Sequence, residues 1–255
     1  MKRIAIIFLF ISVVAVRAKA QDEVVALSED SIPARKTSVW KASCPGLAIS
    51  AVFISYGVLA HHQDDIRELD YKIQRESIHF KKQVYADDYL RFVPGLSMYG
   101  MDLMGVKAKH SLRDRTFLFT SSFLISTASV QVLKRTTNIR RPDESSYLSF
   151  PSGHTATAFA GAHLLLKEYR DTSPWIGIAG YTVASCTGVM RIFNNRHWFS
   201  DVMAGAGFGI LSTEISYLLL PVFHKLPGIK NTQTNMVIAP AIGNSQFGVG
   251  LACTF

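Results

Sequence analysis

Charge is scarce in this chain. Only 18% of its 255 residues are Asp, Glu, Lys or Arg, while 48% are hydrophobic. That balance is lean for a water-facing surface and calls for much buried or lipid-facing area. Cysteine is nearly absent: Cys44, Cys186 and Cys253 are odd in number and far apart. They exclude a disulfide framework and provide neither metal nor redox spacing. The sequence has no lysine-rich tail, zinc pattern, RNA-binding aromatic motif, internal repeat or low-complexity tract. The formal net charge of +8 therefore points away from nucleic acid. It suits anionic lipid headgroups or phosphorylated substrates instead.

What is present begins with an export signal over residues 1–20. Lys2 and Arg3 precede the apolar run "IAIIFLFISVVAV", and Ala18-Lys19-Ala20 gives a small-x-small cleavage site before Gln21. Residues 21–42 are mixed polar and read as irregular. Apolar helix candidates follow at 46–60, 92–106, 116–133, 155–166, 175–190 and 202–223, and a charged amphipathic helix at 64–82. Asp171-Thr172-Ser173-Pro174 and Ser200-Asp201 punctuate the starts of the last two. Residues 231–255 alternate apolar positions ("MVIAPAI", "FGVGLACTF") and read as a tail with short strands. The expected fold is an all-α bundle of about five or six helices, a helical domain over 21–230 followed by the 231–255 tail.

A membrane-embedded bundle is favoured over a soluble periplasmic one. The segments 116–133 and 175–190 hold no charge, and Ala204, Gly205, Ala206, Gly207 and Gly209 suit close helix packing. The loop "KAKHSLRDR" (107–115) is basic, as a cytoplasmic loop should be. Three features pull the other way. Several segments are shorter than the ~20 residues of a span, Glu214 argues against full lipid exposure, and counting back puts residues 21–45 in the cytoplasm, at odds with a cleaved signal.

The charges fall in a pattern that composition does not require. With short connections the last four helices alternate up and down. Lys134 ends one, His154 begins the next, Arg191 ends the third and Asp201 begins the fourth. All lie at the same end of the bundle, with Arg141 and His197 in the adjoining loops. The stretch "PSGH" (151–154) adds backbone N–H donors of Ser152 and Gly153 at a helix start, where the dipole favours an anion. Several cations around a helix N-terminus fit a compact, multiply charged ligand: phosphate.

Three blocks carry a family resemblance: "KRTTNIRRP" with Lys134 and Arg141, "PSGH" with His154, and "RIFNNRHWFSD" with Arg191, His197 and Asp201. In this order they resemble the signature of the type 2 phosphatidic acid phosphatase and vanadium haloperoxidase superfamily, bacterial membrane lipid phosphatase branch. One departure is Met190, where the family pattern usually has serine. The resemblance implies a metal-free, cofactor-free phosphatase working through a phosphohistidine. His197 is then the nucleophile, Asp201 its orienting carboxylate, and His154 the general acid and then base. Lys134, Arg141 and Arg191 hold the equatorial oxygens with Ser152 and Gly153. The implied substrate is a phosphorylated lipid (lipid A, undecaprenyl pyrophosphate or phosphatidate), with the membrane as the other partner and no obligate protein partner. The implied place is the inner membrane of the bacterial envelope, with the site facing the periplasm. A vanadate-dependent haloperoxidase and a soluble periplasmic acid phosphatase are the alternatives.

The remaining candidates read as structural. Arg135 and Arg140 are surface or lipid-phosphate contacts, and His163 is packed within its helix. "HHQDD" (61–65) is a polar helix end, because adjacent helical residues point apart. His79, His110 and His224 carry no pattern.

Overall fold

Small side chains dominate residues 153–162, and the helix they begin, which runs to Tyr169, is buried along most of its length. It lies in the middle of a computed structural model that describes residues 39–77, 85–225, 235–243 and 246–254. The chain divides into two compact units, Met1–Cys44 and Pro45–Phe255; apart from the first residues of the helix that begins at Val39, everything that follows concerns the second. The signal expected at 1–20 lies outside the described residues, as does the end of the expected 64–82 helix.

Eight helices occur among the described residues: α1 (Val39–Ala60), α2 (Asp64–Ser77), the single turn α3 (Asp87–Leu90), α4 (Val93–Leu103), α5 (Leu112–Thr137), α6 (Gly153–Tyr169), α7 (Pro174–Phe193) and α8 (Phe199–His224). Strands β1 (Asn235–Gly243) and β2 (Gln246–Thr254) pair antiparallel. The all-α bundle with a β-like tail is thus observed, with more helices than expected because α2 to α4 form separate short pieces. Helices α5 to α8 extend beyond their apolar cores by up to about a turn, and α1 begins seven residues before its own, so that residues 39–42, expected to be irregular, are helical. Their polar end residues are held by caps: Ser111 accepts the Asp114 N–H at the start of α5, and Asn138 closes its end at φ 51°. Ser200 and Asp201, expected ahead of the last helix, lie inside its first turn, with Trp198 as N-cap.

α6 packs against α4, α5, α7 and α8, and α8 also packs against α5. One core cluster joins Met98, Leu118, Leu164, Leu165, Tyr169, Tyr217 and Leu220. A second, nearer the middle, joins Ala158, Phe159, Ala162, Ala184, Ala206 and Ile210. The α6–α8 approach leaves no room for side chains at two places. A Cβ on Gly205 would stand 2.5 Å from the Ser152 carbonyl oxygen, and one on Gly209 2.4 Å from that of Ala156. This contact fixes the start of α8 against the start of α6, and so Asp201 against Ser152.

α5, α7 and α8 are each long and apolar enough to cross a membrane. Their outward positions are apolar too: Leu124 and Val132 on α5, Ile178, Val189 and Phe193 on α7, Leu219 and Val222 on α8 are exposed. An exposed apolar surface on three long helices is what a bilayer would cover. Glu214, in α8, does not face outward. It is buried, accepting from His163 Nε2 (2.7 Å) and Lys167 Nζ (2.5 Å), while His163 Nδ1 lies 2.7 Å from the Tyr181 hydroxyl. His110 and His224 are also engaged, with Glu168 (2.7 Å) and Asp114 (2.9 Å).

Candidate active site

Six ionisable residues converge at one end of the bundle, delivered by the end of α5, the loop after it, the start of α6, the end of α7, the turn before α8 and the start of α8. Lys134, in the last turn of α5, is buried and donates to the carbonyls of Leu148 (2.6 Å) and Ser149 (3.1 Å). Two of its three protons are thereby committed to the 138–152 loop. Arg141 sits in that loop, where its backbone N–H donates to Ser146 and its carbonyl accepts from Glu144. Its guanidinium Nε is buried without a hydrogen-bond partner. Burial lowers its pKa from the ordinary value, opposed by Asp143 and reinforced by Arg191; an arginine stays charged regardless.

Ser152 caps α6 in extended conformation, after the cis Phe150–Pro151 peptide. Here the structure departs from the expected anion nest. The Ser152 N–H donates to the Asp201 carbonyl (3.0 Å), and its hydroxyl pairs with that of Thr155 (2.9 Å). Ser152 therefore ties α6 to α8, and donors for an anion are left to Gly153 and the N–H groups after it, which lack intrahelical carbonyls.

His154 Nε2 lies 2.7 Å from Asp88 Oδ1. Burial pushes its imidazole down to about 4, with the Arg191 charge acting in the same sense and the Asp88 hydrogen bond opposing. The same bond lowers Asp88. Arg191 Nη1 donates to Asp87 Oδ2 (2.5 Å), whose other oxygen accepts from Asn194 (3.2 Å); the Arg191 Nε is buried without a partner.

His197 precedes α8 rather than lying in it, in a turn where Asn195 takes φ 56°. His197 and Asp201 are therefore not a helical i,i+4 pair, yet the two meet as the resemblance implies. His197 Nδ1 stands 3.5 Å from Asp201 Oδ2, an ion-pair separation that forms no hydrogen bond. The Asp201 carboxylate is occupied elsewhere. Oδ2 accepts from the Ser149 hydroxyl (2.5 Å) and from the Trp198 N–H (3.0 Å), the reach-back half of a capping box. Its Oδ1 lies 3.2 Å from His61 Nε2. Burial pushes His197 down to about 4, Asp201 opposing and the Lys134 and Arg191 charges adding.

Four residues here carry no warning in the sequence: His61, Asp87, Asp88 and Ser149. The stretch "HHQDD" held one of them, since His61 turns inward just past α1 while His62 stays outside on the Val58 carbonyl. Arg135 and Arg140 stay outside, Arg140 in an exposed pair with Glu144 (2.8 Å). As for metal, Asp87, Asp88 and His154 offer ligand atoms within 4.8 Å of one another. A cation there would compete with Arg191 for Asp87, and with His154 itself for Asp88.

Residues 115–225 match the family described as the PAP2 superfamily. That stretch is a PAP2 superfamily domain. It holds every site residue from Lys134 to Asp201, while His61, Asp87 and Asp88 come from outside it. The chain is similar to a lipid A 1-phosphatase of Porphyromonas gingivalis, 35% identical over 206 residues, which cover 77% of this chain and 44% of that protein. It is also similar to a probable diacylglycerol pyrophosphate phosphatase of Schizosaccharomyces pombe, 32% identical over 106 residues (36% and 38%). The chain thus spans less than half the length of either relative. Among solved structures it is similar to a transmembrane PAP2 type phosphatidylglycerolphosphate phosphatase from Bacillus subtilis, 21% identical with a TM-score of 0.48, covering 73% of this chain and 98% of that one.

Proposed function

We propose that this chain is a metal-independent phosphatase that hydrolyses a lipid phosphomonoester or pyrophosphate through a phosphohistidine at His197. The observation that carries this reading is a set of buried nitrogens with no hydrogen-bond partner among the described residues, gathered at one place: the Nε of Arg141, the Nε of Arg191 and the Nδ1 of His197. Two unpaired guanidinium nitrogens away from water are costly unless an anion completes them. Arginine's planar fork suits phosphate oxygens.

In the first step a His197 ring nitrogen attacks phosphorus in line, the bond from phosphorus to the leaving oxygen breaks, and His154 gives that oxygen its proton. In the second, His154 takes a proton from water, the hydroxide attacks phosphorus, and the P–N bond breaks to release inorganic phosphate and free His197. Asp201 keeps the ring oriented and compensates the charge it gains. Arg141, Arg191, Lys134 and the α6 N-terminus spread the charge on the equatorial oxygens. His154 must be protonated to serve as acid, and phosphate supplies the reason. A dianion beside it favours the imidazolium and offsets Arg191, whose charge adds to burial in holding the free imidazole down.

Lipid substrate follows from three helices suited to a bilayer, the apolar outer faces of α5 and α7, and the named activities of the lipid A and diacylglycerol pyrophosphate relatives. The same features support a membrane location, and the basic 107–115 loop at the far end supports a site facing the periplasm. The test is phosphate release by purified protein from lipid A, undecaprenyl pyrophosphate and phosphatidate in micelles, with EDTA present. Release from one of them that EDTA leaves intact and His197→Ala abolishes is expected. Activity lost to EDTA would sink the metal-free route, and unchanged activity in the variant would sink the nucleophile.

A further inference from the structure

We propose that His61, from outside the three signature blocks, is a positioning residue: it shares the Asp201 carboxylate with His197 and sets how strongly that carboxylate acts on the nucleophile. The inference rests on His197 being the nucleophile. His61 lies just after α1, its side chain 5% exposed, with the ring edge-on to Phe150 at 5.0 Å. Its Nε2 is 3.2 Å from Asp201 Oδ1 and 3.3 Å from the Ser200 hydroxyl.

The surroundings fix which ring nitrogen carries the proton. Asp70 takes both donors of Ser200, the N–H at 2.9 Å on Oδ1 and the hydroxyl at 2.5 Å on Oδ2. The Ser200 oxygen is then left only to accept, and an ionised Asp201 accepts only. Both neighbours of His61 Nε2 require an N–H there. The Nδ1 on the other side is buried with no partner among the described residues, so the ring delivers one N–H and finds no acceptor for a second. His61 thus aims its Nε2–H at Oδ1, with Ser200 of α8, itself held by Asp70 of α2, beside it.

This placement divides Asp201 in two. Oδ1 is directed to His61, and Oδ2, anchored by Ser149 and Trp198, is the oxygen 3.5 Å from His197. The groups facing His197 and this carboxylate are Lys134 from α5, Arg141 from the loop after it, Arg191 from α7, and His61 from the end of α1; Asp70 and Tyr56 stand behind His61. Removing the His61 donor leaves Oδ1 without its partner and concentrates the carboxylate's charge on His197. The protonated, non-nucleophilic form of His197 is then favoured. The acid limb of kcat/KM moves to higher pH, and kcat falls as the carboxylate loses its fixed orientation. Misplacing a reacting group by as little as about 1 Å can cost about a hundred-fold.

The experiment compares full-length wild type, His61→Leu and His61→Gln. Each is assayed for phosphate release from whichever of lipid A, undecaprenyl pyrophosphate and phosphatidate the wild type hydrolyses, across pH 4 to 9, with His197→Ala as control. The expected result is a kcat loss of about ten-fold or more in His61→Leu with KM little changed. Its acid limb should be displaced upward, and His61→Gln, which keeps an amide N–H, should be restored toward wild type on both counts. An unshifted acid limb in both folded variants, or equal losses in Leu and Gln that track only thermal stability, overturns the proposal. An active wild type with an inactive His197→Ala keeps that failure distinct from a failure of the phosphatase reading. A wild type inactive on all three lipids, or an active His197→Ala, defeats the nucleophile reading, and the role of His61 falls with it.

Discussion

Arg191 and Arg141 hold the pocket's charge in different ways. Arg191 has one nitrogen on Asp87 and one without a partner, whereas Arg141 presents its orphan Nε from a loop. Arg191→Lys keeps the charge and loses the fork, so its kcat/KM for phosphate release should fall about a hundred-fold, roughly 3 kcal/mol of transition-state stabilisation. A loss under three-fold in steady-state kinetics would show that the fork is not used. At this scale the sequence is informative where residues lie in one short run and silent elsewhere. Lys134, Arg141, His154, Arg191, His197 and Asp201 are legible because their spacing is fixed by helix ends within residues 134–201. His61 and Asp87 meet their partners across 140 and 104 residues, and no local pattern marks such a contact. Ser152 departs from expectation for a related reason: its N–H is taken by the Asp201 carbonyl, a bond between two helices that neither helix announces.

The elements that place these residues depend on one close contact and one buried polar cluster. Where α6 meets α8, Gly205 and Gly209 face backbone oxygens at distances no side chain tolerates. Gly205→Val should therefore push the start of α8 off Ser152. A destabilisation of about 1–3 kcal/mol is expected, read as a lower midpoint of thermal unfolding in detergent, with activity lost alongside because Asp201 moves too. At the other end, Glu214 is buried between His163 and Lys167. Removing one partner of such a set leaves uncompensated charge, so Glu214→Ala should cost about 3–5 kcal/mol. It is far from the pocket along α8, so the folded fraction should keep the wild-type kcat; a specific kcat loss would place Glu214 in the reaction. The helices themselves are legible from apolar runs and punctuation. The hydrogen-bonded burial of Glu214 is not, because an acidic residue in an apolar run says nothing of what faces it.

Over the whole molecule, a basic chain with little charge becomes a bundle that gathers Lys134, Arg141 and Arg191 at one end and whose long helices present apolar faces outward. That arrangement makes stability depend on pH in a definite sense. His197 is buried neutral, with its folded-state value near 4 against an ordinary 6.5. The unfolded chain binds the proton more readily, so the contribution of His197 is full above about 6.5 and is lost as pH falls toward 4. On the order of 3 kcal/mol is at stake at this one site. Unfolding midpoints measured between pH 7 and pH 4 should fall, and fall less in His197→Gln, which has no proton to take up. The central claim is that His197 itself carries the phosphoryl group, and the most direct measurement is acid-free denaturing quench during turnover followed by peptide mass spectrometry. A phosphoryl adduct on the peptide bearing His197, absent from His197→Ala, is the predicted result. Turnover with no adduct on that histidine, or an adduct on another residue, would contradict it.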